Sequence, residues 1–444
     1  MPPPHTGIDL AMKIMEVLKE WGIERKVFSL TLDNASNNDN MQNILKKQRV
    51  IQNDLLCGGE FFHVRCSAHI LNLIVQEGLK VMGHAVSKIR DSIKFVQASE
   101  ARRTLFASCV VSALVENPKA SLTLDVTTRW NSTFKMLDRS IAHCFAFDSY
   151  QGIDPSFKSL PTTVEWELGT QICALLQPFD EITNLISGST YPTSNLYFMQ
   201  VYKIEYWLKA QENSEVDVIV EMVEAMKEKF DKYWHEYSEI LAMAAVCDPM
   251  FKLSLLEYCF TNLDENTCQQ KKENVQAKLN LLFKAYSKPA NQSSPPAGEN
   301  VQESVAAFLG KGVINYDDFH NFRKKNVSAS GKSTLDMYLE ESLVDMKMFP
   351  DLDVLDFWKK NSQRFGELSR MACDLLSIPI TTIASESSFS IGSRVLNKYR
   401  SCLLPKNVKA LICARNWLQG FEAYDDHELE EAVESDGNLA SESF

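Results

Sequence analysis

The sequence predicts an α/β layer that gives way to a long all-α region. Three observations carry this expectation. The first hundred residues alternate in the order helix, strand, helix, strand, helix, the signature of parallel strands joined by helices. From Trp130 to Phe283 the apolar spacing is helical almost throughout. The chain has 444 residues, 45% hydrophobic and 23% charged, which is enough apolar surface to bury a core.

The elements follow in order. Apolar residues at Ile8, Met12, Met15, Leu18 and Trp21 recur at helical spacing, and Gly22 is a stop signal. Val27–Leu32 is a β-rich run ending at Asp33. The Asn- and Ser-rich elbow 34–40 favours a turn and a helix N-cap. A second helix is expected over Met41–Leu56, broken by Gly58 and Gly59, with a second strand over Phe61–Arg65. Helical pattern then runs from Ala68 to Val96. In the next region Leu168, Ile172, Leu175, Leu176, Phe179, Ile182 and Ile186 form one apolar stripe, and Leu196–Leu208, Val216–Trp234 and Glu239–Phe260 read as further helices packed on one another. Residues 288–304 are rich in Pro, Ser, Asn and Gln, the composition of a linker. Helical pattern resumes at Leu335–Leu343 and Val354–Leu376. Pro405–Leu418 opens on Pro and stops before Gly420, the usual helix asymmetry.

Charge and cysteine usage narrow the class. Lys and Arg total 46 against 58 Asp and Glu, a net charge of −12. Nine of the acidic residues lie beyond Phe421 with no Lys or Arg among them, so the rest of the chain carries only −3. Residues 392–419 hold Arg394, Lys398, Arg400, Lys406, Lys409 and Arg415 and no acidic residue, a local basic face suited to phosphates or an acidic partner. Eleven cysteines without regular spacing read as reduced, intracellular thiols. The most apolar stretches fall short of the roughly 20 residues that cross a bilayer, and Met1–Gly7 has no signal-peptide pattern, so no membrane association is expected.

Six ordered blocks carry a family resemblance: TLDNASNNDNM at 31–41, FFHVRCSAHILNLIVQ at 61–76, LDVTTRWNSTFKML at 124–137, CDPMFKL at 247–253, DVLDFWKKN at 353–361, and residues 375–418 from LLSIPITTIASESSFS to ARNWL. Together they resemble the hAT transposase superfamily, of the plant zinc-finger BED, RICESLEEPER type. The resemblance implies a partial RNase H-like core over 1–125, lacking its first three strands, and a helical insertion domain over 126–287. Composition carries the linker over 288–333 and marks an acidic tail at 421–444, and the resemblance implies a C-terminal dimerisation segment carrying the last core helix at 334–420. It also implies a nuclear protein.

The same resemblance implies site residues. Cut-and-paste chemistry uses three carboxylates on two divalent metals. Asp33, at the carboxyl end of a predicted strand, matches the second catalytic Asp, and Glu386 matches the catalytic Glu. The first Asp has no match, and Asp9 lies on a helix, where it could not take that place. The expected function is therefore a DNA-binding, dimerising, transposase-derived protein with an incomplete catalytic set. The alternatives are an active two-metal transposase and a domesticated interaction module. No cofactor is expected in the incomplete form, and Mg²⁺ or Mn²⁺ on Asp33 and Glu386 in an active one.

Other positions stay open between roles. Cys66-x-x-His69 has half a zinc spacing, yet a structural site takes four ligands, so packing or positioning near the core is expected rather than zinc. Arg129 and Trp130 match the family's RW pair. They read either as a phosphate-pairing cation and a base-stacking ring, or as a surface cation and a packing ring. Arg394, Lys398 and Arg400 are further DNA-facing candidates. Leu355, Trp358, Phe365, Leu368, Val408, Leu411, Ile412 and Trp417 match the dimerisation segment, whose apolar faces suit self-association or intramolecular packing.

Overall fold

In the computed structural model, the described residues are 6–52, 54–82, 86–113, 122–126, 129–188, 191, 193–234, 238–287, 332–386 and 403–419. The expected order of elements is present. Helix α1 (Gly7–Glu20) leads to β1 (Leu30–Leu32), α2 (Ser36–Ile51), a 3₁₀ turn at Leu56–Gly59, β2 (His63–Arg65) and α3 (Ser67–Met82). Thr6 and Asp9 form a capping box on α1, which fixes Asp9 in a structural role. The two strands pair in parallel, Leu30 opposite His63 and Leu32 opposite Arg65. Both are shorter than the sequence pattern suggests. Among the described residues each strand has one neighbour, and only the stretch facing it forms a ladder. Helix α2 starts earlier than expected, because the Asn- and Ser-rich elbow is itself the first turn.

A small core beneath the layer joins Ala11, Met41, Leu45, Leu55 and Phe62. A much larger one fills the helical body. Helix α3 is the hinge of the architecture: it leaves the end of β2 and buries Ile70, Leu71, Ile74 and Val75 in the large core. There it packs on α10 (Asp217–Trp234) so closely that a Cβ on Gly78 would lie 2.7 Å from the Met226 side chain. The long helix expected from Ala68 to Val96 is two, α3 and α4 (Ser87–Gln97), followed by α5 (Glu100–Ser112). The body continues through α6 (Trp130–Ala142), α7 (Cys144–Ile153), α8 (Thr163–Ile186) and α9 (Tyr197–Gln211), and after α10 through α11 (Glu239–Val246), α12 (Lys252–Leu263) and α13 (Glu265–Ser287).

The single helix expected over Glu239–Phe260 is interrupted at Cys247–Phe251. Asp248 is fully buried and its carboxylate accepts from the Met250 N–H at 2.9 Å and from Asn195 Nδ2 at 2.8 Å. Lys252 adopts a positive φ of 48° at the start of α12. The turn serves as a clamp for the C-terminal elements α14 (Thr334–Glu340), α15 (Val354–Lys360), α16 (Ser362–Phe365) and α17 (Glu367–Leu376). Trp358 Nε1 donates to the Cys247 carbonyl at 2.8 Å, Tyr338 Oη to Val246 at 3.0 Å, and the Val344 N–H to Pro249 at 3.0 Å. The helix expected over Val354–Leu376 is broken at Gly366, whose φ of 52° suits glycine. A last helix, α18, spans Pro405–Gln419.

Candidate functional site

The carboxyl ends of β1 and β2 lie side by side, since the strands are parallel, and Cys66 N–H closes the ladder onto Leu32 O at 2.7 Å. Asp33 follows β1 directly. Its Oδ1 accepts the Ala35 N–H at 2.9 Å and Asn38 Nδ2 at 2.6 Å, so one carboxylate oxygen caps the entry to α2. Arg65, the last residue of β2, reaches across to Asn34 Oδ1 at 3.0 Å and to Asp39 at 3.4 Å. A cation therefore stands at the rim of this end.

Residues 378–386 cross the same end from the far side of the chain. Thr31 Oγ1 donates to Pro379 O at 2.5 Å and Ser67 N–H to Ile380 O at 2.8 Å. The Thr382 N–H lies 3.3 Å from Cys66 Sγ. Thr382 Oγ1 lies 3.2 Å from that sulfur and 2.8 Å from Glu386 Oε1. A hydroxyl has one proton, and a carboxylate is a better acceptor than a thiol. The proton goes to Glu386, and the Cys66 thiol in turn donates to Thr382 Oγ1. Thr382 thus ties Glu386 to Cys66, whose N–H bonds the carbonyl of Leu32, the residue before Asp33.

Two carboxylates offer hard oxygens suited to Mg²⁺ or Mn²⁺ that keep several waters. A two-metal pair takes a third carboxylate. Among the described residues no group of three or more His, Cys, Asp or Glu side chains is placed to hold a metal ion. Asp33 and Glu386 would supply part of such a donor set. Cys66 is buried and its sulfur serves the Thr382 contact, while His69 is half-buried on α3.

The RW pair divides. Trp130 opens α6 and is 3% exposed within the large core, the placement that the packing alternative describes. Arg129 is exposed. Its loop is held by a bidentate pair, Arg90 Nε and Nη2 to Asp125 at 2.7 and 2.6 Å, with Thr133 Oγ1 adding a third bond at 3.0 Å. Burial pushes the Asp125 carboxyl up, but Arg90 and Thr133 outweigh it and hold the group below the usual carboxylate range. Asp125 and Arg90 were not singled out in the sequence; the LDVTTRW block contains Asp125, but its partner sits 35 positions upstream.

The dimerisation candidates divide as well. Trp358, Phe365 and Leu368 are fully buried inside their own chain, and Leu355 packs against the same core. The Cys247–Phe251 clamp is the physical reason that Trp358, Phe365 and Leu368 serve packing within the chain, while Leu355 is only partly buried. Leu411 and Trp417 are exposed on α18, with Val408 and Ile412 half-buried beside them. Arg394, Lys398 and Arg400 lie outside the described residues, as do most of the linker and the acidic tail.

Comparison with known proteins places these features in a family. Residues 1–61 match the ZBED1 RNase-like domain and 64–175 the ZBED1 RNase-like helical domain. Residues 195–286 match the hAT-like transposase RNase-H fold, and 334–418 the hAT family C-terminal dimerisation region. The chain belongs to the hAT transposase family. RICESLEEPER 2, a zinc finger BED domain-containing protein of Oryza sativa subsp. japonica, is 33% identical over 94% of this chain and 59% of its own length. A putative AC transposase of Zea mays is 32% identical over 93% of the chain and 51% of its own length. DAYSLEEPER of Arabidopsis thaliana is 30% identical over 94% of the chain and 58% of its own length. The chain thus spans little more than half the length of these curated hAT relatives. Among the described residues, 195–286 form helices joined by turns, and the two described strands lie within residues 30–65. Among the described residues no helix is long and apolar enough to cross a membrane.

Proposed function

We propose that this chain is a transposase-derived nuclear protein that associates with itself or related hAT chains and contacts DNA, with a catalytic set that its own residues leave incomplete. The observation that supports the reading is the crossing of residues 378–386, which carry Glu386, over the ends of β1 and β2. Asp33 and Glu386 match two of the three carboxylates that a two-metal site takes, and the sequence offers no match for the third. Exposed Arg129 and the basic stretch 392–419 supply phosphate contacts that orient a duplex without reading its sequence. Such binding is weak and steeply salt-dependent.

The same pairing of carboxylates favours one alternative, an active two-metal transposase in which a third carboxylate joins Asp33 and Glu386. A single experiment separates the two. The full chain is titrated with labelled duplex by anisotropy at about 50 and about 200 mM salt, where a few phosphate contacts cost at least tenfold in affinity. The same duplex is then incubated with Mn²⁺. Binding without strand cleavage is the expected result. Cleavage abolished by Asp33→Asn or Glu386→Gln would overturn the incomplete reading and establish the alternative.

A further inference from the structure

Two apolar surfaces within the residues that match the hAT dimerisation region are exposed at once. One is α18 and its lead-in. Leu404, Leu411, Trp417 and Leu418 are exposed there, Trp417 by 70%, beside exposed Lys406 and Lys409. Residues 405–419 contain no acidic residue. The other is the turn segment between α14 and α15. It exposes Leu343, Met346, Met348 and Phe349 beside Asp345, Asp351 and Asp353, with Lys347 the one cation over 342–353. A cleft of about 420 Å³ lies there, walled by Phe349, Pro350, Leu352 and Phe357.

Within one chain these surfaces do not cover each other. Helix α18 is tied to the end of α1 instead: the Trp417 ring meets Trp21 edge-on at 5.9 Å, and Lys409 Nζ lies 2.8 Å from Glu20. Contiguous exposed apolar side chains mark interaction surfaces. Here one surface is apolar and basic, the other apolar and acidic, and complementary potentials select partners and register. One chain carries both halves. A second copy can therefore engage both at once, and a two-fold axis closes the pair. A single helix face is a small contact.

We propose that α18 of one copy docks on segment 343–357 of a second copy, reciprocally about a two-fold axis. This rests on the self-association reading above and specifies its surfaces.

The test is the oligomeric state of the full chain by light scattering and sedimentation, with circular dichroism and melting to confirm folding. Wild type is expected to dimerise at about 10 μM, within the usual range of specific interfaces. Leu411→Ser/Leu418→Ser and, separately, Met348→Ser/Phe349→Ser are each expected to weaken the dimer at least about tenfold by removing apolar anchors. Lys406→Glu/Lys409→Glu and Asp345→Lys/Asp351→Lys are each expected to weaken it about fivefold, and their combination in one chain to restore it to within about twofold. General loss of stability cannot produce that rescue. A monomeric wild type would overturn both the proposal and the self-association reading. A wild-type dimer indifferent to either surface overturns the pairing alone, as does loss of DNA binding without loss of dimer in the Lys406→Glu/Lys409→Glu variant.

Discussion

The ammonium of Lys252 donates to the backbone carbonyl of Tyr338 at 2.5 Å and stands 4.3 Å from the centre of the same residue's ring. A second bond runs to the Glu341 carbonyl at 2.9 Å. Burial pushes the Lys252 pKa down, which is the cost of placing a cation here; two carbonyls and a ring face offset it. The positive φ of Lys252 aims the side chain at the C-terminal elements. Lys252→Ala leaves one buried and one part-buried carbonyl without this donor, so a loss of about 2–3 kcal/mol is expected in urea unfolding. Residues 335–345 should become the first site of limited proteolysis. An unchanged midpoint and cleavage pattern would show that this contact does not hold the C-terminal region.

A second prediction concerns the crossing segment. Thr382→Val keeps the shape of the side chain and removes the hydroxyl that joins Cys66 to Glu386. One lost hydrogen bond to a charged acceptor is worth about 1.5 kcal/mol, or about tenfold in local opening. Amide exchange across 380–386 is expected to accelerate by about that factor, and Thr382→Ser to restore it. Equal exchange in wild type and Thr382→Val would mean that backbone contacts alone, from Thr31 and Ser67, seat the segment.

Much of this arrangement was legible in the sequence, and the rest was hidden for identifiable reasons. The alternation of patterns before residue 97 placed both strands and put Asp33 at a strand end. Periodicity could not place the turn at Cys247–Phe251, because Ile240–Val246 and Leu253–Phe260 are each apolar and in helical step on either side of it. Nor could an amphipathic stripe say what covers it: Trp358 and Trp417 lie on similar patterns, yet one is fully buried and the other 70% exposed. The partner of Cys66 is Thr382, 316 positions away. No local spacing encodes that contact, and the nearby His69 draws attention to zinc instead.

Asp125 gives a prediction with a pH signature. Its folded pKa lies below the ordinary carboxylate value, so its contribution to stability is present above about pH 4 and is lost as pH falls through the folded pKa. Asp125→Asn removes the bidentate acceptor of Arg90. With Arg90 still 23% exposed, the expected cost at pH 7 is about 2 kcal/mol, below that of a fully buried pair. The difference from wild type should shrink as pH drops below about 4, when wild type also loses the charge. A difference constant from pH 7 to pH 3 would place the effect in packing, not in the ion pair.

The two residues of the RW pair are expected to fail in different ways. Arg129 is exposed and free to meet a phosphate, whereas Trp130 is enclosed at the start of α6. Arg129→Ala should leave the melting temperature unchanged, weaken duplex binding evenly across sequences, and reduce the slope of log affinity against log salt by about one. Trp130→Ala opens a cavity in the large core and should cost about 3–5 kcal/mol of stability. Any loss of DNA binding in Trp130→Ala should then track its unfolded fraction, and should vanish when the measurement is made well below its melting temperature. A binding defect that persists in fully folded Trp130→Ala, with the salt slope intact, would return the ring to the DNA and require α6 to open at its first turn.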